Sequence, residues 1–387
     1  MIHTFLMPEM ILSGDDVIVK GIEQLPESLE KAFIVTAKCN VELGFIEPFT
    51  KILEKTGRDW YIYDGVNNEP TDEMVGQGAE LCRREACDFL IAIGGGSVLD
   101  VMKAIGLILS NSGEIADYMG TGTAIEKPPF MVAVPTTAGT GSEATQFTII
   151  TDTKRDIKML IGAKELIPDL VLLHPEFTMT APANVTVSSG LDALIHAIEA
   201  FLSKKAQPLT DTFALSAIQR IFQYLPEVLK DSSDKEARKQ MSYAALEAGI
   251  AFNNSSVTLI HGMSRPIGAL FHVPHGLANA MLLEECMAFM ADSSYQRLEI
   301  MAETIKAADS RKEKRENAER FLSRVKELCT VCKVPALREY GIDREEFLNL
   351  TDKMAEDALA SGSPQNLRKS VKKSDIIRIY KKLWENA

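Results

Sequence analysis

The spacing of hydrophobic and polar residues changes in character about halfway along the chain. In the first half, short apolar runs of strand length alternate with longer segments of helical periodicity. The run at residues 89–93 is apolar at every position, which is typical of a strand covered on both faces. This alternation predicts an α/β domain with a mainly parallel sheet. The strand candidates are residues 32–36, 60–63, 89–93, 131–134 and 170–175.

Beyond residue 182 the strand pattern nearly disappears, and helical periodicity continues to the end of the chain. We therefore predict two domains, an α/β domain at residues 1–178 and an all-helical domain at residues 179–387, with a hinge at residues 178–182. The helix candidates of the second domain are residues 186–204, 210–230, 235–253, 277–291, 293–308, 315–331, 344–358 and 373–385.

Composition and charge narrow the classes of function. Of the 387 residues, 46% are hydrophobic and 25% are charged, as in an ordinary globular protein. The net charge of −12 argues against a nucleic acid partner. No apolar run reaches the roughly 18–20 residues that cross a bilayer, and the N-terminus lacks the basic and apolar regions of a secretory signal. We expect a cytoplasmic protein without a membrane partner.

A glycine-rich loop, Gly-Gly-Gly-Ser at residues 94–97, connects the strand candidate at 89–93 to a helix candidate at 101–109. Unpaired N–H groups at a helix start, together with the helix dipole, favour an anion such as a phosphate. The spacing differs from G-x-G-x-x-G, so a glycine-rich turn without a ligand is the alternative.

A second polar loop, residues 135–143, follows the strand candidate at 131–134. Open α/β sheets bind ligands at the carboxyl ends of their strands, so its hydroxyls are candidates for ligand contacts. The alternative is a loop whose hydroxyl groups cap a helix.

Residues that can bind a metal occur in the helical half. Asp192 and His196 are four residues apart on a predicted helix, with Ser188 or Ser189 as its N-cap, so their side chains share one face. An exposed Asp–His pair on an amphipathic helix is the alternative. Three of the other histidines fall in one short run, and His275 lies between Pro274 and Gly276 in an expected tight turn. One carboxylate and three imidazoles, from Asp192, His196, His261 and His275, suit Fe(II), Zn(II), Mn(II) or Co(II).

The segments GLDALIHAIEA and HGMSRPIGALFHVPHGLANA closely resemble those of the iron-containing (group III) alcohol dehydrogenases. The resemblance extends from the glycine loop near residue 95 to the C-terminal tail. It implies a Rossmann-like nucleotide-binding domain and an all-α metal-binding domain, the fold shared with dehydroquinate synthase, with the metal in the cleft between them. It also implies NAD or NADP as cofactor, Fe²⁺ first and Zn²⁺ second as the metal, a small alcohol or aldehyde as substrate, and a homo-oligomer.

The resemblance also assigns roles to individual residues of this chain. The GGGSxxD loop would hold the cofactor pyrophosphate, three threonines would contact the nucleotide, and a lysine that otherwise reads as a solvated charge would contact the ribose. Two phenylalanines would form walls of the substrate cleft, with core packing as the alternative. These residues are Gly94, Gly95, Gly96, Ser97 and Asp100; Thr136, Thr137 and Thr145; Lys158; and Phe147 and Phe252.

Two positions depart from the family pattern. Many relatives carry a second histidine where this chain has Arg265, and arginine cannot relay a proton at working pH. We expect His272 or a water chain to relay the proton, and we hypothesise that Arg265 binds an anionic substrate group; an arginine paired with a neighbouring helix is the alternative. Ala37 replaces an aspartate that often selects NAD, so NADP(H) is not expected to be excluded.

Two other functions share these sequence features. A lyase of the dehydroquinate synthase type has the same fold, and fold alone does not determine the reaction. A metal- and nucleotide-binding scaffold that has lost turnover is the non-enzymatic alternative.

Overall fold

The computed structural model describes residues 2–122 and 125–385. The chain divides into two compact units, one formed by Leu6–Thr180 and the other by the chain from Ala181 onward together with the N-terminal segment up to Phe5. The division falls two residues later than the sequence predicts. In the second unit the Phe5 ring stacks on the Phe213 ring, with 5.9 Å between their centroids.

The first unit is an α/β domain. Its strands are β1 (Met10–Ser13), β2 (Lys31–Thr36), β3 (Asp59–Tyr63), β4 (Phe89–Gly94), β5 (Gly120–Thr121), β6 (Phe130–Pro135), β7 (Phe147–Asp152), β8 (Ile157–Gly162) and β9 (Leu170–Leu173). Its α-helices are α1 (Val17–Glu23), α2 (Lys38–Glu42), α3 (Glu47–Lys55), α4 (Asp72–Arg84) and α5 (Gly96–Ser110).

Six strands form one sheet in the order β1-β9-β6-β4-β2-β3, and all of its strand pairs are parallel. Every residue of β4 is buried, as its uninterrupted apolar sequence predicts. Alternate residues of the central strands, such as Ile91 and Ile93, join a core with residues of α1 and α3, such as Ile22 and Phe49. The carboxyl ends of β4 and β6 are therefore held side by side, with Gly94 opposite Pro135.

A second, three-stranded sheet has the order β5-β8-β7, and β7 pairs with β8 in antiparallel fashion. The sequence analysis did not predict these strands, nor the edge strand β1. In β7 and β8 buried and exposed positions are mixed, so neither segment has the continuous apolar run by which the parallel strands were found.

The second unit is all-helical in the residues that the structure describes. Its helices are α6 (Ala183–Leu202), α7 (Pro208–Lys230), α8 (Lys235–Ser255), α9 (Leu259–Phe271), α10 (His275–Ala291), α11 (Tyr295–Thr304), α12 (Lys314–Val331), α13 (Arg344–Ala360) and α14 (Lys373–Glu385). The predicted fold class, a Rossmann-like α/β domain plus an all-α domain, is confirmed.

Two predictions about local structure around the metal-binding residues are wrong. Helix α6 begins at Ala183, so Ser188 and Ser189 are not N-caps, and their hydroxyls instead bond the carbonyl of Val185 within the helix. His275 is not in a tight turn but is the first residue of α10, after Pro274. Proline before a helix and glycine inside its first turn produce the same sequence pattern as a turn, so the sequence did not distinguish the two.

One helix in the described part of the chain, α6, is long and apolar enough to cross a bilayer by length and composition alone, with a mean hydropathy of 1.3 over 18 residues. However, 78% of that window is buried inside the protein. Its apolar residues therefore belong to the core of the helical unit.

Candidate functional site

The glycine loop forms the junction between β4 and α5. Helix α5 begins at Gly96, so Ser97 and Asp100 lie in its first two turns, and its N-cap residue Gly95 has no side chain to cap it. A Cβ atom at Gly94 would lie 2.5 Å from the Val98 side chain, and one at Gly96 would lie 2.7 Å from Thr140. Glycine is therefore required for the loop to pack this closely, and the first N–H groups of α5 lack intrahelical acceptors.

A buried lysine fixes the second polar loop against α5. Lys103 Nζ lies 3.0 Å from Ser142 Oγ, 3.1 Å from Thr145 Oγ1 and 2.9 Å from the Phe147 carbonyl oxygen. Burial lowers the pKa of Lys103 to about 8. Glu143 lies on the same loop, and burial raises the pKa of its carboxyl group to about 7. Lys103 thus positions the loop that carries the predicted nucleotide contacts.

Several predicted cofactor residues make internal contacts in this unit. Asp100 accepts hydrogen bonds from the Ser142 hydroxyl at 2.6 Å and from the Ile149 N–H at 3.0 Å. Thr145 is buried against Lys103, whereas Thr137 is half-buried, and the Thr136 N–H donates to the Gly94 carbonyl. Asp100 and Thr145 therefore hold the two loops together, and their contact with a nucleotide stays a prediction.

Lys158 and Ala37 lie at other positions of the same unit. Lys158 is on β8, where its Nζ lies 2.6 Å from a carboxylate oxygen of Glu69, and its side chain is 44% exposed. Ala37 follows β2 directly as the N-cap residue of α2. Phe147 begins β7 and is half-buried.

Three helices bring the four predicted metal ligands together. Asp192 and His196 lie one turn apart on α6, whereas His261 is in the first turn of α9 and His275 begins α10. Ligand atoms of Asp192, His261 and His275 lie within 4.8 Å of one another. His196 Nε2 is 3.0 Å from His261 Nε2, and His196 Nδ1 is 3.9 Å from Asp192 Oδ2.

Hydrogen bonds orient two of these side chains. Asn279, one turn after His275 on α10, donates from Nδ2 to Asp192 Oδ1 at 2.7 Å, and this amide nitrogen is 3.2 Å from His261 Nε2. The carboxylate of Glu199 lies 2.7 Å from His261 Nδ1, so that Nε2 is the ring nitrogen turned toward Asp192. Neighbouring residues therefore define which atom each side chain presents.

The ionisation of these groups suits a cation. Burial lowers the pKa of His261 far below its ordinary value, so the imidazole is neutral and has a lone pair to donate. Burial would raise the pKa of Asp192, but the surrounding imidazoles and the Asn279 amide lower it, so the carboxylate is ionised. A buried carboxylate and neutral imidazole nitrogens that converge are the donor set of Fe(II) and Zn(II) sites, so these residues fit such an ion.

Phe252 and the two predicted catalytic residues occupy different environments. The Phe252 ring stacks on the His196 ring, with centroids 4.3 Å apart and an interplanar angle of 18°. Arg265 is half-buried on α9, one turn after His261 and on the same helix face. His272 is exposed at the end of α9 with a left-handed backbone (φ 53°), and its role as a proton relay stays a prediction.

Lys103, Glu199 and Asn279 are further residues at these sites that were not predicted from the sequence. Each lies three or four residues from a predicted site residue, namely Asp100, His196 and His275, and therefore on the same helix face. A search at this spacing for polar residues within apolar helices would have found them.

Family models match both halves of the chain. The model described as iron-containing alcohol dehydrogenase matches residues 8–175, and the model of the C-terminal part of the Fe-containing alcohol dehydrogenase family matches residues 186–384.

Curated relatives and solved structures agree. The NADPH-dependent butanol dehydrogenase of Clostridium saccharobutylicum is 35% identical over 394 residues, which cover 97% of this chain and 97% of that protein. The structure of a 1,3-propanediol oxidoreductase matches with a TM-score of 0.95 and 31% identity, over 99% of this chain and 100% of that one. The NAD⁺ complex of sulfoacetaldehyde reductase from Bifidobacterium kashiwanohense matches with a TM-score of 0.89 and 27% identity, over 100% of both chains. The chain therefore belongs to the iron-containing alcohol dehydrogenase family and is an NAD(P)-dependent alcohol dehydrogenase.

Proposed function

We propose that this enzyme interconverts a short-chain alcohol and its aldehyde, with Asp192, His196, His261 and His275 as ligands of a divalent cation. Fe²⁺ is the first candidate and Zn²⁺ the second. The convergence of one carboxylate and three imidazoles from three helices is the observation that carries this proposal. When bound, the cation supplies Lewis acidity and the nicotinamide accepts or gives a hydride. The loop at residues 94–97 would hold the cofactor pyrophosphate.

The protein's own residues shape access to this site. Asp192 and His261 are buried, with side chains 4% exposed, whereas the His275 side chain is 43% exposed. The site is therefore open on the side of His275, and a substrate oxygen would approach there. The Phe252 ring stacks on the His196 ring, and His196 is buried.

Metal content and turnover measured in the same sample test the proposal. Asp192→Ala and His261→Ala should bind less than a tenth of the wild-type metal and oxidise NAD(P)H with short aldehydes at least 100-fold more slowly. His174→Gln, a histidine of the α/β unit, should keep both. Variants that keep metal would contradict the ligand set, and a metal-loaded wild type that turns over none of a broad aldehyde panel would favour the silent scaffold.

We further propose that the substrate carries an anionic group that Arg265 binds. Within residues 2–122 and 125–385 the Arg265 side chain has no hydrogen-bond or ion-pair partner. Within that part of the chain, the Glu199 carboxylate on α6 acts on Arg265 electrostatically, without a hydrogen bond or ion pair between the two side chains. Burial lowers the pKa of Arg265 despite the opposing charge of Glu199, so the buried guanidinium carries a desolvation cost. An anion on the substrate would offset that cost, and one solved relative is named as a reductase of sulfoacetaldehyde, an anionic aldehyde.

Selectivity between paired substrates tests the role of Arg265. We expect kcat/KM for an ω-hydroxy acid, relative to a neutral alcohol of equal length, to fall roughly 10- to 100-fold in Arg265→Ala, as the loss of a charge-assisted hydrogen bond predicts. Arg265→Lys should retain part of the preference. An unchanged ratio in Arg265→Ala would refute the proposal, whatever happens to the absolute rate.

The remaining features of the proposed function are its cofactor range, assembly and location. Relatives include an NADPH-dependent enzyme and an NAD⁺ complex, which supports use of both nucleotides. We also propose a homo-oligomer, as the resemblance to the family implies, and a location in the cytoplasm. Light scattering of the purified chain tests the first, and fractionation of the source cells tests the second.

A further inference from the structure

Glu199 is a fully buried carboxylate that neither the predicted ligand set nor the cofactor loop includes. It lies on α6, three residues after His196 and seven after Asp192, so all three side chains share one face of the helix. Its exposed fraction is 0%. A buried carboxylate is costly unless it is fully hydrogen-bonded, so the identity of its partners indicates its role.

All of its hydrogen-bond donors come from the beginning of α9. Glu199 Oε1 accepts from the Thr258 hydroxyl at 2.7 Å and from the Ile260 N–H at 2.6 Å. Oε2 accepts from His261 Nδ1 at 2.7 Å and lies 3.4 Å from the His261 N–H. One carboxylate of α6 therefore bonds both the backbone and a side chain in the first turn of α9.

The backbone contacts make Glu199 a cap supplied by a neighbouring helix. Thr258, the N-cap residue of α9, makes no capping bond with its own side chain. Glu199 accepts hydrogen bonds from N–H groups that have no acceptor within α9, and the positive end of the helix dipole favours its negative charge. This bond joins α6 to α9 at the level of the predicted metal ligands.

The side-chain contact determines the tautomer of His261. An ionised carboxylate can only accept, so Nδ1 must carry the proton and Nε2 keeps its lone pair. That Nε2 atom is 3.0 Å from His196 Nε2 and 3.7 Å from Asp192 Oδ1. We propose that Glu199 is a positioning residue for the divalent cation, because it holds His261 in the tautomer and orientation that present Nε2 to the metal. This rests on the proposed role of His261 as a ligand.

A Glu199→Gln variant separates this role from that of a cap alone. The amide has one acceptor oxygen, and its NH₂ group must face either the Ile260 N–H or His261 Nδ1. If the oxygen keeps the cap, the amide donates to Nδ1, and His261 must then protonate Nε2 and lose its free lone pair there. Thr258→Val is the matched control, since it removes a donor to the same carboxylate without touching His261.

The experiment titrates Co²⁺ into the metal-stripped full-length chain by calorimetry and measures the unfolding of the apo protein in parallel. We expect Glu199→Gln to lower Co²⁺ affinity roughly 10- to 100-fold, as loss of a hydrogen bond that orients a ligand predicts. Thr258→Val should lower stability but leave Co²⁺ affinity at the wild-type value. Glu199→Ala removes the acceptor of Nδ1 whichever way an amide would turn, so a Glu199→Ala variant that is less stable but binds Co²⁺ like the wild type would show a cap alone and overturn the proposal.

Two further measurements keep the test decisive. If His261→Ala also retains wild-type Co²⁺ affinity, then the ligand set itself has failed, and the role of Glu199 fails with it. If Glu199→Gln does not fold, ¹⁵N-histidine spectra of the wild-type apo protein, assigned with His261→Gln, give the tautomer directly. Protonated Nδ1 with unprotonated Nε2 supports the proposal, and protonated Nε2 overturns it.

Discussion

At the scale of single residues, two buried charged groups, Lys103 and Glu143, lie at the predicted nucleotide loops. Lys103 is completely buried, and Glu143 is 2% exposed on the loop that Lys103 holds. Lys103 donates hydrogen bonds to the carbonyl oxygens of Ser142, Thr145 and Phe147, which stabilise its charge only in part, since burial still lowers its pKa to about 8. Burial is the main influence on the Glu143 carboxyl group, whose pKa lies at about 7 instead of 4.5. The ionised form of Glu143 therefore reduces the stability of the folded protein.

This cost makes the effect of Glu143→Gln depend on pH. The folded-state pKa of about 7 is above the unfolded value of 4.5, so the penalty is absent below pH 4.5, grows between the two values and is complete above pH 7. The free energy of unfolding of the wild type, relative to Glu143→Gln, should fall by about 3 kcal/mol between pH 4.5 and 7.5. Denaturant unfolding at both pH values measures it. A flat difference between the wild type and Glu143→Gln over this pH range would contradict the prediction.

A single residue position also bears on the choice between NAD(H) and NADP(H). Ala37 is the first residue after β2, and the adjacent Lys38 is exposed. Without a carboxylate at this position, we expect the wild type to prefer NAD(H) by less than about a thousandfold in kcat/KM, equivalent to about 4 kcal/mol. Ala37→Asp should disfavour NADP(H) by at least about tenfold through repulsion of the 2′-phosphate. Steady-state rates with NAD(H) and with NADP(H) measure this preference. A wild type that strictly requires NAD(H) would disprove the expectation.

At the scale of elements, the arrangement of the proposed metal ligands depends on how closely α10 approaches α6. A Cβ atom at Gly276 would lie 2.5 Å from the Ser188 carbonyl oxygen and 3.3 Å from the Asp192 Cβ. Backbone cannot move aside as a flexible side chain can. The absence of a side chain at Gly276 therefore brings His275 and Asn279 up to Asp192.

Gly276→Ala should therefore weaken metal binding without touching a ligand. Separating α10 from α6 should cost about 1–3 kcal/mol of stability and lower divalent-cation affinity about tenfold or more through the lost Asn279–Asp192 hydrogen bond. Calorimetry with Co²⁺ and thermal unfolding measure the two effects. Gly76→Ala is the control, because nothing lies within 4 Å of the added Cβ on α4, and it should stabilise the protein by up to about 1 kcal/mol. Wild-type Co²⁺ affinity in Gly276→Ala would show that the close approach is unnecessary.

Helix α9 could not be predicted from the local sequence pattern. It contains Gly262 and Pro266, both unfavourable inside a helix, and the sequence analysis left the segment unassigned. Most of residues 259–267 are buried, and Gly262 fits against Pro364, whose side chain lies 2.7 Å from where a Cβ would be. Packing in the helical unit therefore outweighs the low helix propensity of this segment. Because a single sequence shows propensities and not packing, the helix could not be predicted from it.

At the scale of the whole molecule, the proposed ligands all belong to the helical unit, although they span residues 192–275. Binding there would stabilise α6, α9 and α10 together, since a ligand that binds only the folded state adds to its stability. The glycine loop belongs to the α/β unit, so metal and nucleotide would stabilise different units.

Hydrogen exchange after chelation tests this division. Removing a cation held at 100 times its dissociation constant should speed exchange about 100-fold in the first turns of α9 and α10, equivalent to about 2.7 kcal/mol. Peptides from β4 and α5 should be unaffected. Mass spectrometry of the intact chain with and without chelator measures this, and Asp192→Ala should show no response to chelator. Equal acceleration in β4 and α9 would mean that the metal does not act through the helical unit.

The sequence by itself determined the alternation of strands and helices, and it proposed an organisation in two parts and Asp192 and His261 as candidate metal ligands. Such features follow from apolar periodicity and from chemistry that few residue types can perform, so they can be predicted before the fold is known. Only the tertiary structure decided that Glu199 bonds His261, that Asn279 bonds Asp192, that Lys103 joins α5 to a distant loop, and that Gly276 allows α10 to touch α6. Each of these is a contact between segments distant in the chain, and its energy depends on distances that no local pattern encodes.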